Sequence, residues 1–420
     1  MDTQAQFVEI DHALLMNDIK RAEVAIARRL RRKNTIQERS ELLFRRAQAR
    51  LLSARPDDAL EDIETGLALY PPRAEQVETR VLIGDIYFAR FELAPVGFVD
   101  RTDSETALTC YLDVVGHNPD YEQIGRVYYQ IGRIYLSQND SESAHNYFEK
   151  VLSSPCNPAN IHALACERIG VINLLETRNP AQALEYFRRA QESYPPDGDP
   201  GWMVQLHIRI SRAYLDLEQH EAALEAARKA LREIQDGTTH QHRASLPDAH
   251  MAIADILAVM TGHEDEAIEH YLRFLQSSKR PPGIDVTWSH VHETIGQLSF
   301  RLERYQQAID AFEKALELNP YHPWEVNVRY QIARCYYRMR IYEKTIASIE
   351  KMRSAADAEN SPITDWRVFN LLGNACFALE KYERAVDAYR KAIELAPAAT
   401  DALNKMHIYL RFSEELSQSP

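Results

Sequence analysis

One spacing pattern recurs along the chain and limits what the sequence can fold into. A small residue is followed at fixed intervals by an aromatic residue, an alanine, a second aromatic residue, a second alanine and a proline. Near the C-terminus these positions hold Gly373, Tyr382, Ala385, Tyr389, Ala392 and Pro397, and upstream, with every interval unchanged, they hold Gly296, Tyr305, Ala308, Phe312, Ala315 and Pro320. A small residue lets a second helix approach closely, the alanine and aromatic positions form one helical stripe, and proline ends the helix. The pattern therefore predicts a repeated helix hairpin.

The alanine before the second aromatic residue marks further units of the same kind. These units are centred on Ala59, Ala107, Ala144, Ala183, Ala223, Ala267, Ala308, Thr345 and Ala385, with a weaker unit at Ala22. The series resembles the tetratricopeptide repeat, whose pattern is W-x2-L-G-x2-Y, then A-x3-F, then P. The resemblance implies an all-α fold, a right-handed α-solenoid of about nine to ten helix hairpins in which each hairpin stacks on its neighbours.

The two ends of the chain are expected to differ from the array between them. Residues 1–35 predict N-terminal helices with a weak first repeat, and residues 36–400 carry the repeat array. Residues 401–420 predict a capping helix and a tail, because Leu403 and Met406 share one helical stripe that would cover the last repeat.

One insertion is expected near residues 91–103. The interval between the small residue Gly84 and Ala107 is longer than the same interval in the other units. The additional segment contains Pro95 and Gly97, which are residues that break helices. We therefore expect a loop or a short extra helix that projects from the third unit.

Charge and composition narrow the classes of function. The formal net charge of -13 disfavours nucleic acid as a partner, because attraction to phosphate requires a basic surface. The N-terminus lacks the layout of a signal peptide and no apolar run reaches the length of a bilayer, so we expect no membrane insertion and a cytoplasmic location. The five cysteines form no C-x-x-C pair, and no nucleotide, hydrolase or metalloprotease motif occurs. We expect no cofactor, no metal and no enzymatic activity.

Candidate binding residues lie on one face of the first helix of each hairpin. Residues three before, one after and four after the small residue share this face, which we call the ladder face, and the resemblance assigns it to the inner groove. On or beside it lie the candidates Arg126, Tyr129, Arg133, Arg168, Arg209 and Arg212. Guanidinium groups pair bidentately with carboxylates, so these arginines predict attraction of an acidic segment of a partner. The alternative is that they bridge to Glu and Asp of adjoining helices.

A second group of candidates follows in the last two repeats. It comprises Tyr330, Arg334, Tyr337, Arg338, Asn370 and Asn374. Aromatic and arginine side chains dominate interface energies, so this group predicts a contact site, with structural packing of the tyrosines as the alternative. Some proteins of the family clamp a terminal carboxylate with a lysine and an asparagine on this face. Asn374 matches that asparagine, but Asn370 stands at the lysine position, so a heat-shock chaperone tail is not expected as the ligand.

These observations favour a non-catalytic scaffold or adaptor that binds a protein or peptide segment in the groove. A peptide-sensing regulatory protein that controls an effector is the alternative. A nucleic-acid binder that uses the ladder-face arginines is a lesser alternative, and a steep fall of affinity with salt would distinguish it.

Overall fold

The computed structural model describes residues 7–94, 101–154, 158–237, 244–279, 283, 285–320, 325–358, 362–397 and 402–418. All regular elements within these ranges are helices, and the described residues form no strand. The prediction of an all-α fold is confirmed for this part of the chain. The chain divides into two compact units, Met1–Asp199 and Pro200–Pro420.

The described residues of the first unit form five helix hairpins in sequence. Their helices are α1 (Val8–Leu15), α2 (Ile19–Leu30), α3 (Ile36–Leu52), α4 (Pro56–Leu69), α5 (Val77–Leu93), α6 (Arg101–His117), α7 (Ile124–Ser137), α8 (Ser141–Ser153), α9 (Ala159–Leu175) and α10 (Pro180–Ser193). A short 3-10 helix, Pro71–Glu75, joins α4 to α5. Consecutive odd and even helices pair, so each odd-numbered helix is the first helix of a hairpin.

The second unit repeats the same arrangement and ends on an additional helix. Its helices are α11 (Pro200–Asp216), α12 (His220–Asp236), α13 (Leu246–Val259), α14 (Glu264–Ser277), α15 (Val286–Arg301), α16 (Tyr305–Leu318), α17 (Glu325–Arg338), α18 (Tyr342–Ala358), α19 (Trp366–Ala378), α20 (Tyr382–Leu395) and α21 (Ala402–Ser417). Helix α21 packs on the last hairpin through Met406, which is buried beside Phe369 and Ala392.

The small residue of the first helix lies against the aromatic ring of the second. A β-carbon placed on Gly132 would stand within 2.5 Å of the Phe148 ring, and one on Gly170 within 2.4 Å of the Phe187 ring. Both rings are completely buried. Glycine is needed at these positions because the ring occupies the space that a side chain would take.

Where the second helix carries an aliphatic residue instead of the aromatic ring, the first helix can carry alanine instead of glycine. Ala47 packs in one buried cluster with Ile63, and Ala333 packs in another with Ile349. The aliphatic side chain leaves room for the alanine methyl group. In these hairpins the size of the second-helix residue determines which small residue the first helix carries. Ala254 is an exception, because it packs in one buried cluster with the aromatic Tyr271.

Several turns inside the hairpins share one backbone geometry. In the hairpins of Gly132, Gly296 and Gly373 the seventh residue after the glycine has a positive φ: Asn139 (59°), Glu303 (58°) and Glu380 (57°). The next residue then donates its N–H to a carbonyl five positions back, for example Arg304 to Ser299 at 2.9 Å. This is the Schellman arrangement that ends a helix and reverses the chain.

The helices on both sides of the predicted insertion extend into it. Helix α5 continues to Leu93 and α6 begins at Arg101. The Arg90 guanidinium donates to the buried carboxylate of Asp103 at 2.6 Å, so both predicted margins belong to the hairpin. Residues 95–100, which hold the predicted helix-breaking residues, lie outside the described part of the chain.

The ring contact predicts opposite effects for two glycine substitutions. Gly170→Ala should lower the free energy of unfolding by about 1–3 kcal/mol, since overpacking against the buried ring outweighs a helix-propensity gain of about 1 kcal/mol. Gly116→Ala is the matched control, because Gly116 is an exposed helical glycine with no atom within 4 Å of the place that the new methyl group would take. It should raise stability by up to about 1 kcal/mol. Urea unfolding measures both, and equal signs would contradict the packing argument.

Candidate partner-binding surface

The ladder face of the second unit combines residues of five first helices. In order from α11 to α19 it carries Ile208, Arg212 and Leu215, then Met251, Asp255 and Ala258, then Glu293, Gln297 and Phe300, then Tyr330, Arg334 and Tyr337, and finally Asn370, Asn374 and Phe377. The equivalent positions of successive hairpins place these side chains on one side of their helices. Among the described residues of this face, one cavity opens at each end of the series.

The cavity between α17 and α19 brings together the second group of predicted residues. It has a volume of about 220 Å³ and is lined by Tyr330, Arg334, Tyr337, Arg338, Asn370 and Asn374, together with Trp366, Arg367 and Leu371. We call it the arginine–tyrosine cavity. Sequence reasoning did not identify the last three residues. Trp366 and Arg367 lie seven and six positions before Gly373, and Leu371 lies two before it. These positions continue the same helix face, and this spacing could have identified the three residues from the sequence.

The arginine–tyrosine cavity carries an excess of positive charge. Arg367 pairs with Asp365 at 2.9 Å. Within the described part of the chain, neither Arg334 nor Arg338 forms an ion pair with a carboxylate. Arg334 donates to Gln331 at 2.7 Å, and its guanidinium lies over the Phe300 ring, 4.5 Å from the centroid. The side chain is held in place by these two contacts, while no described carboxylate neutralises its charge.

The tyrosines of this cavity are partly packed. Burial raises the pKa of Tyr330 and of Tyr337, and the Tyr337 ring stands 5.6 Å from the ring of Tyr342. Asn374 accepts a hydrogen bond from the Tyr389 hydroxyl at 2.8 Å, which leaves its amide donor directed elsewhere. Each ring packs on a neighbour and also lines the cavity, so the packing is observed and the contact site stays a prediction.

The cavity between α11 and α13 has the opposite character. It has a volume of about 280 Å³, and its lining is mostly apolar with two carboxylates and one arginine: Gln205, Ile208, Ser211, Arg212, Leu215, Asp248, Met251, Ala252, Asp255 and Ile256. We call it the aspartate cavity. Asp248 accepts from Gln205 at 3.0 Å, and Arg212 pairs with Asp216 at 3.2 Å. Burial raises the pKa of Asp255, against the lowering effect of the Tyr271 hydroxyl.

In the first unit the predicted arginines are paired inside the protein. Arg126 donates to Asp85 at 2.6 Å and lines a cavity that includes this carboxylate. Arg133 pairs with Glu92, and its guanidinium lies 4.7 Å from the Phe88 centroid. These contacts are the bridges between adjoining helices that formed the alternative reading of the arginines.

The remaining predicted residues divide between the two units. Arg168 lies beside the buried Glu167, with its Nε 3.3 Å from the Glu167 carboxylate, and the Tyr129 ring packs 5.6 Å from the ring of Phe148. Arg209 and Arg212 belong to α11 of the second unit. The convergence of all the predicted arginines on one groove stays a prediction.

Three hairpins connect the core to the ladder face through a tyrosine hydroxyl. The hydrogen bonds run from Tyr111 to Asp85 at 2.6 Å, from Tyr271 to Asp255 at 2.7 Å and from Tyr389 to Asn374 at 2.8 Å. In the hairpins with Phe148, Phe187 and Phe312, the residues after the small glycine are Arg133, Val171 and Gln297. A buried hydroxyl requires a partner, so the residue after the small residue is an acceptor where the second helix carries a buried tyrosine.

The hydroxyl bond to Asp255 predicts coupling between core and surface. Tyr271→Phe should lower the free energy of unfolding by about 1–3 kcal/mol, because Asp255 loses its donor. Adding Asp255→Val to that variant should recover part of the loss, since no acceptor is then left without a donor. A double-mutant cycle by chemical denaturation measures the coupling, and additive effects would show that the hydrogen bond contributes nothing.

Two histidines that are distant in the sequence are neighbours in the structure. Nδ1 of His250 and Nδ1 of His270 are 3.1 Å apart, and both side chains are buried between α13 and α14. Both residues lie inside helices, His250 in α13 and His270 in α14. Burial and the neighbouring His270 lower the pKa of His250 to about 4, and burial lowers the pKa of His270. The described residues contain no cluster of three His, Cys, Asp or Glu side chains that could hold a metal ion.

This pair predicts a loss of stability on acidification. Below the ordinary histidine pKa of about 6.5 the unfolded chain binds protons that the folded chain excludes. The free energy of unfolding should therefore fall from about pH 6.5 to pH 4, by at most roughly 1.4 kcal/mol per pH unit for each histidine. His250→Leu should flatten this slope, whereas His117→Leu, at an exposed histidine, should not. Identical slopes for the two variants in urea titrations would exclude the buried pair as the cause.

Comparisons with known proteins identify the repeats. Two family models, both described as tetratricopeptide repeat, match residues 292–322 and 366–398 and residues 125–154 and 204–236. Outer dynein arm-docking complex subunit 4 of Danio rerio is 23% identical over 249 residues, which cover 56% of this chain and 51% of that protein. The match thus spans about half the length of this relative.

Two solved structures share the fold. The C-terminal part of a TPR repeat-containing protein from Cytophaga hutchinsonii has a TM-score of 0.51 at 15% identity and covers 66% of this chain and 98% of that one. A Signal Transduction ATPase with Numerous Domains protein with a tetratricopeptide repeat sensor, from Pyrococcus horikoshii, has a TM-score of 0.51 at 13% identity, with coverage of 96% and 62%. The fold is a helical solenoid of such repeats. Among the described helices, none has both the length and the apolar character needed to cross a bilayer.

Proposed function

Because the chain is a tetratricopeptide repeat protein, we propose that it is a non-catalytic scaffold that holds a segment of a partner polypeptide on the ladder face of its second unit. Arrays of this kind generally mediate protein–protein interactions through such extended surfaces. The Danio rerio relative is by name a subunit of a docking complex, and this name is in line with an assembly role.

The arginine–tyrosine cavity is the proposed contact for an acidic group of the partner. One observation carries this proposal: Arg334 and Arg338 form no ion pair with the described carboxylates, although the chain has a net charge of -13. A carboxylate of the partner would supply the missing counter-charge, and guanidinium groups hold carboxylates in two parallel hydrogen bonds. The Asn370 amide and the tyrosine hydroxyls add neutral hydrogen-bonding groups beside them.

The arginines of the first unit are less suited to this role. Asp85 already neutralises Arg126, and Glu92 neutralises Arg133. An acidic partner would have to displace these carboxylates, which would return their charges to water or leave them unpaired. We therefore propose that these arginines stabilise the packing of neighbouring hairpins, and that the acidic segment binds in the second unit.

Charge reversal tests the proposed contact. Peptides that bind the full chain would be selected from a random displayed library, and their affinities measured by fluorescence polarisation. The double variant Arg334→Glu, Arg338→Glu should weaken the selected acidic peptides by about 2 kcal/mol, or roughly thirtyfold in Kd, since each exposed ion pair contributes up to about 1 kcal/mol. Added salt should weaken the wild-type complex in the same direction.

Arg353→Glu is the matched control for this experiment. Arg353 is exposed on α18, the second helix of the same hairpin, and does not lie on the ladder face. This substitution changes the net charge by the same amount as each of the two test substitutions. It therefore separates the effect of a local contact from the effect of the overall charge. Equal weakening by the control, or undiminished affinity of the double variant, would refute binding in the arginine–tyrosine cavity.

A further inference from the structure

The two cavities of the second unit have opposite charge and the same position in their repeats. Residues three before and one after the small residue line both of them: Ile208, Arg212, Met251 and Asp255 in the aspartate cavity, and Tyr330, Arg334, Asn370 and Asn374 in the arginine–tyrosine cavity. An extended segment that follows the ladder face would therefore meet both. The order of charges along the face is acidic at α13 and basic at α17.

The aspartate cavity has features that suit a cationic side chain. Its walls are formed by apolar residues such as Leu215, Met251 and Ile256, and its carboxylates are Asp248 and Asp255. No basic group among the described residues forms an ion pair with either carboxylate. Lysine and arginine bury their aliphatic stems on apolar surface while their charged heads reach polar groups. Such a side chain would fill the cavity and bring its charge to Asp255.

The charges already present nearby do not remove this preference. Arg212 lines the cavity, but its guanidinium pairs with Asp216 at 3.2 Å. The Tyr271 hydroxyl gives Asp255 one neutral hydrogen bond, and Gln205 gives Asp248 another. Two carboxylates therefore face the cavity, each with a neutral donor, against one arginine. Arg212 pairs with Asp216, and its charge, like that of His290, also lowers the pKa of Asp255. The lining still carries one more negative than positive charge.

We propose that the second unit recognises a segment of mixed charge, in which a lysine or arginine occupies the aspartate cavity and an acidic residue occupies the arginine–tyrosine cavity. This inference rests on the proposed function and deepens it by naming the chemistry of the partner segment. First helices three repeats apart are separated by roughly 24–30 Å at 8–10 Å per helix. An extended chain advances about 3.3 Å per residue, so the two charged residues should lie about seven to nine positions apart.

Asp255→Asn is the variant that tests this inference. An asparagine oxygen still accepts from the Tyr271 hydroxyl, as Asn374 does from Tyr389 in the last hairpin, so the hairpin keeps its internal bond. The probes are peptides of about sixteen residues selected on the full chain, long enough to span both cavities. Each is compared with a version in which its basic residue is replaced by alanine. Circular dichroism verifies that the variant is folded.

The inference predicts one pattern of affinities. On the wild-type chain the alanine replacement should weaken binding about tenfold, Asp255→Asn should cause a similar loss, and the two losses should not add. Asp310→Asn, at an exposed aspartate on the second helix α16, should change nothing. Peptides that depend on Arg334 and Arg338 but bind Asp255→Asn as tightly as wild type would overturn the inference and leave the proposed function standing. Selected peptides that ignore both sites, or a selection without binders, would overturn both.

Discussion

The contact between a first-helix glycine and a second-helix ring is the constraint on which the other features depend. At Gly132 and Gly170 the ring lies where a side chain would be, so the two helix axes approach as closely as an aromatic core allows. This contact also fixes the rotation of the first helix about its own axis. Since residues on a helix keep fixed angular positions, this rotation determines which side chains lie on the ladder face. The chemistry of the ladder face is thus set by packing inside each hairpin.

The tyrosine-containing hairpins show how the core specifies polar residues on the surface. A buried phenylalanine places no demand on the residue beside the small glycine, and Arg133 and Gln297 occupy that position freely. A buried tyrosine carries a hydroxyl that reaches the same position and needs an acceptor. Asp85 and Asp255 are therefore ladder residues and core partners at once.

Much of the fold followed from local periodicity, because the small residue, the alanines and the rings lie within one hairpin and their intervals are direct consequences of helix geometry. The grouping of the residues from Tyr330 to Asn374 was predicted for the same reason, as two adjacent first helices in the same register must bring those positions together. The pairing of the first-unit arginines was not resolved by sequence. Arg126 and Asp85 are 41 positions apart, and which arginine reaches a carboxylate depends on side-chain paths across neighbouring hairpins. The His250 and His270 pair was missed because each residue falls on its own helix stripe, and only the hairpin packing makes them neighbours.

The hydrogen bond between Tyr271 and Asp255 joins a side chain that lines a surface cavity to the core of a hairpin. A carboxylate has several lone pairs, but its orientation is shared by every donor that it accepts. Any ligand that prefers the orientation set by the hydroxyl also favours the closed hairpin, and by thermodynamic linkage the closed hairpin favours that ligand by the same factor. Ligand binding at the outer surface of this hairpin and the stability of its interior would then be coupled in both directions.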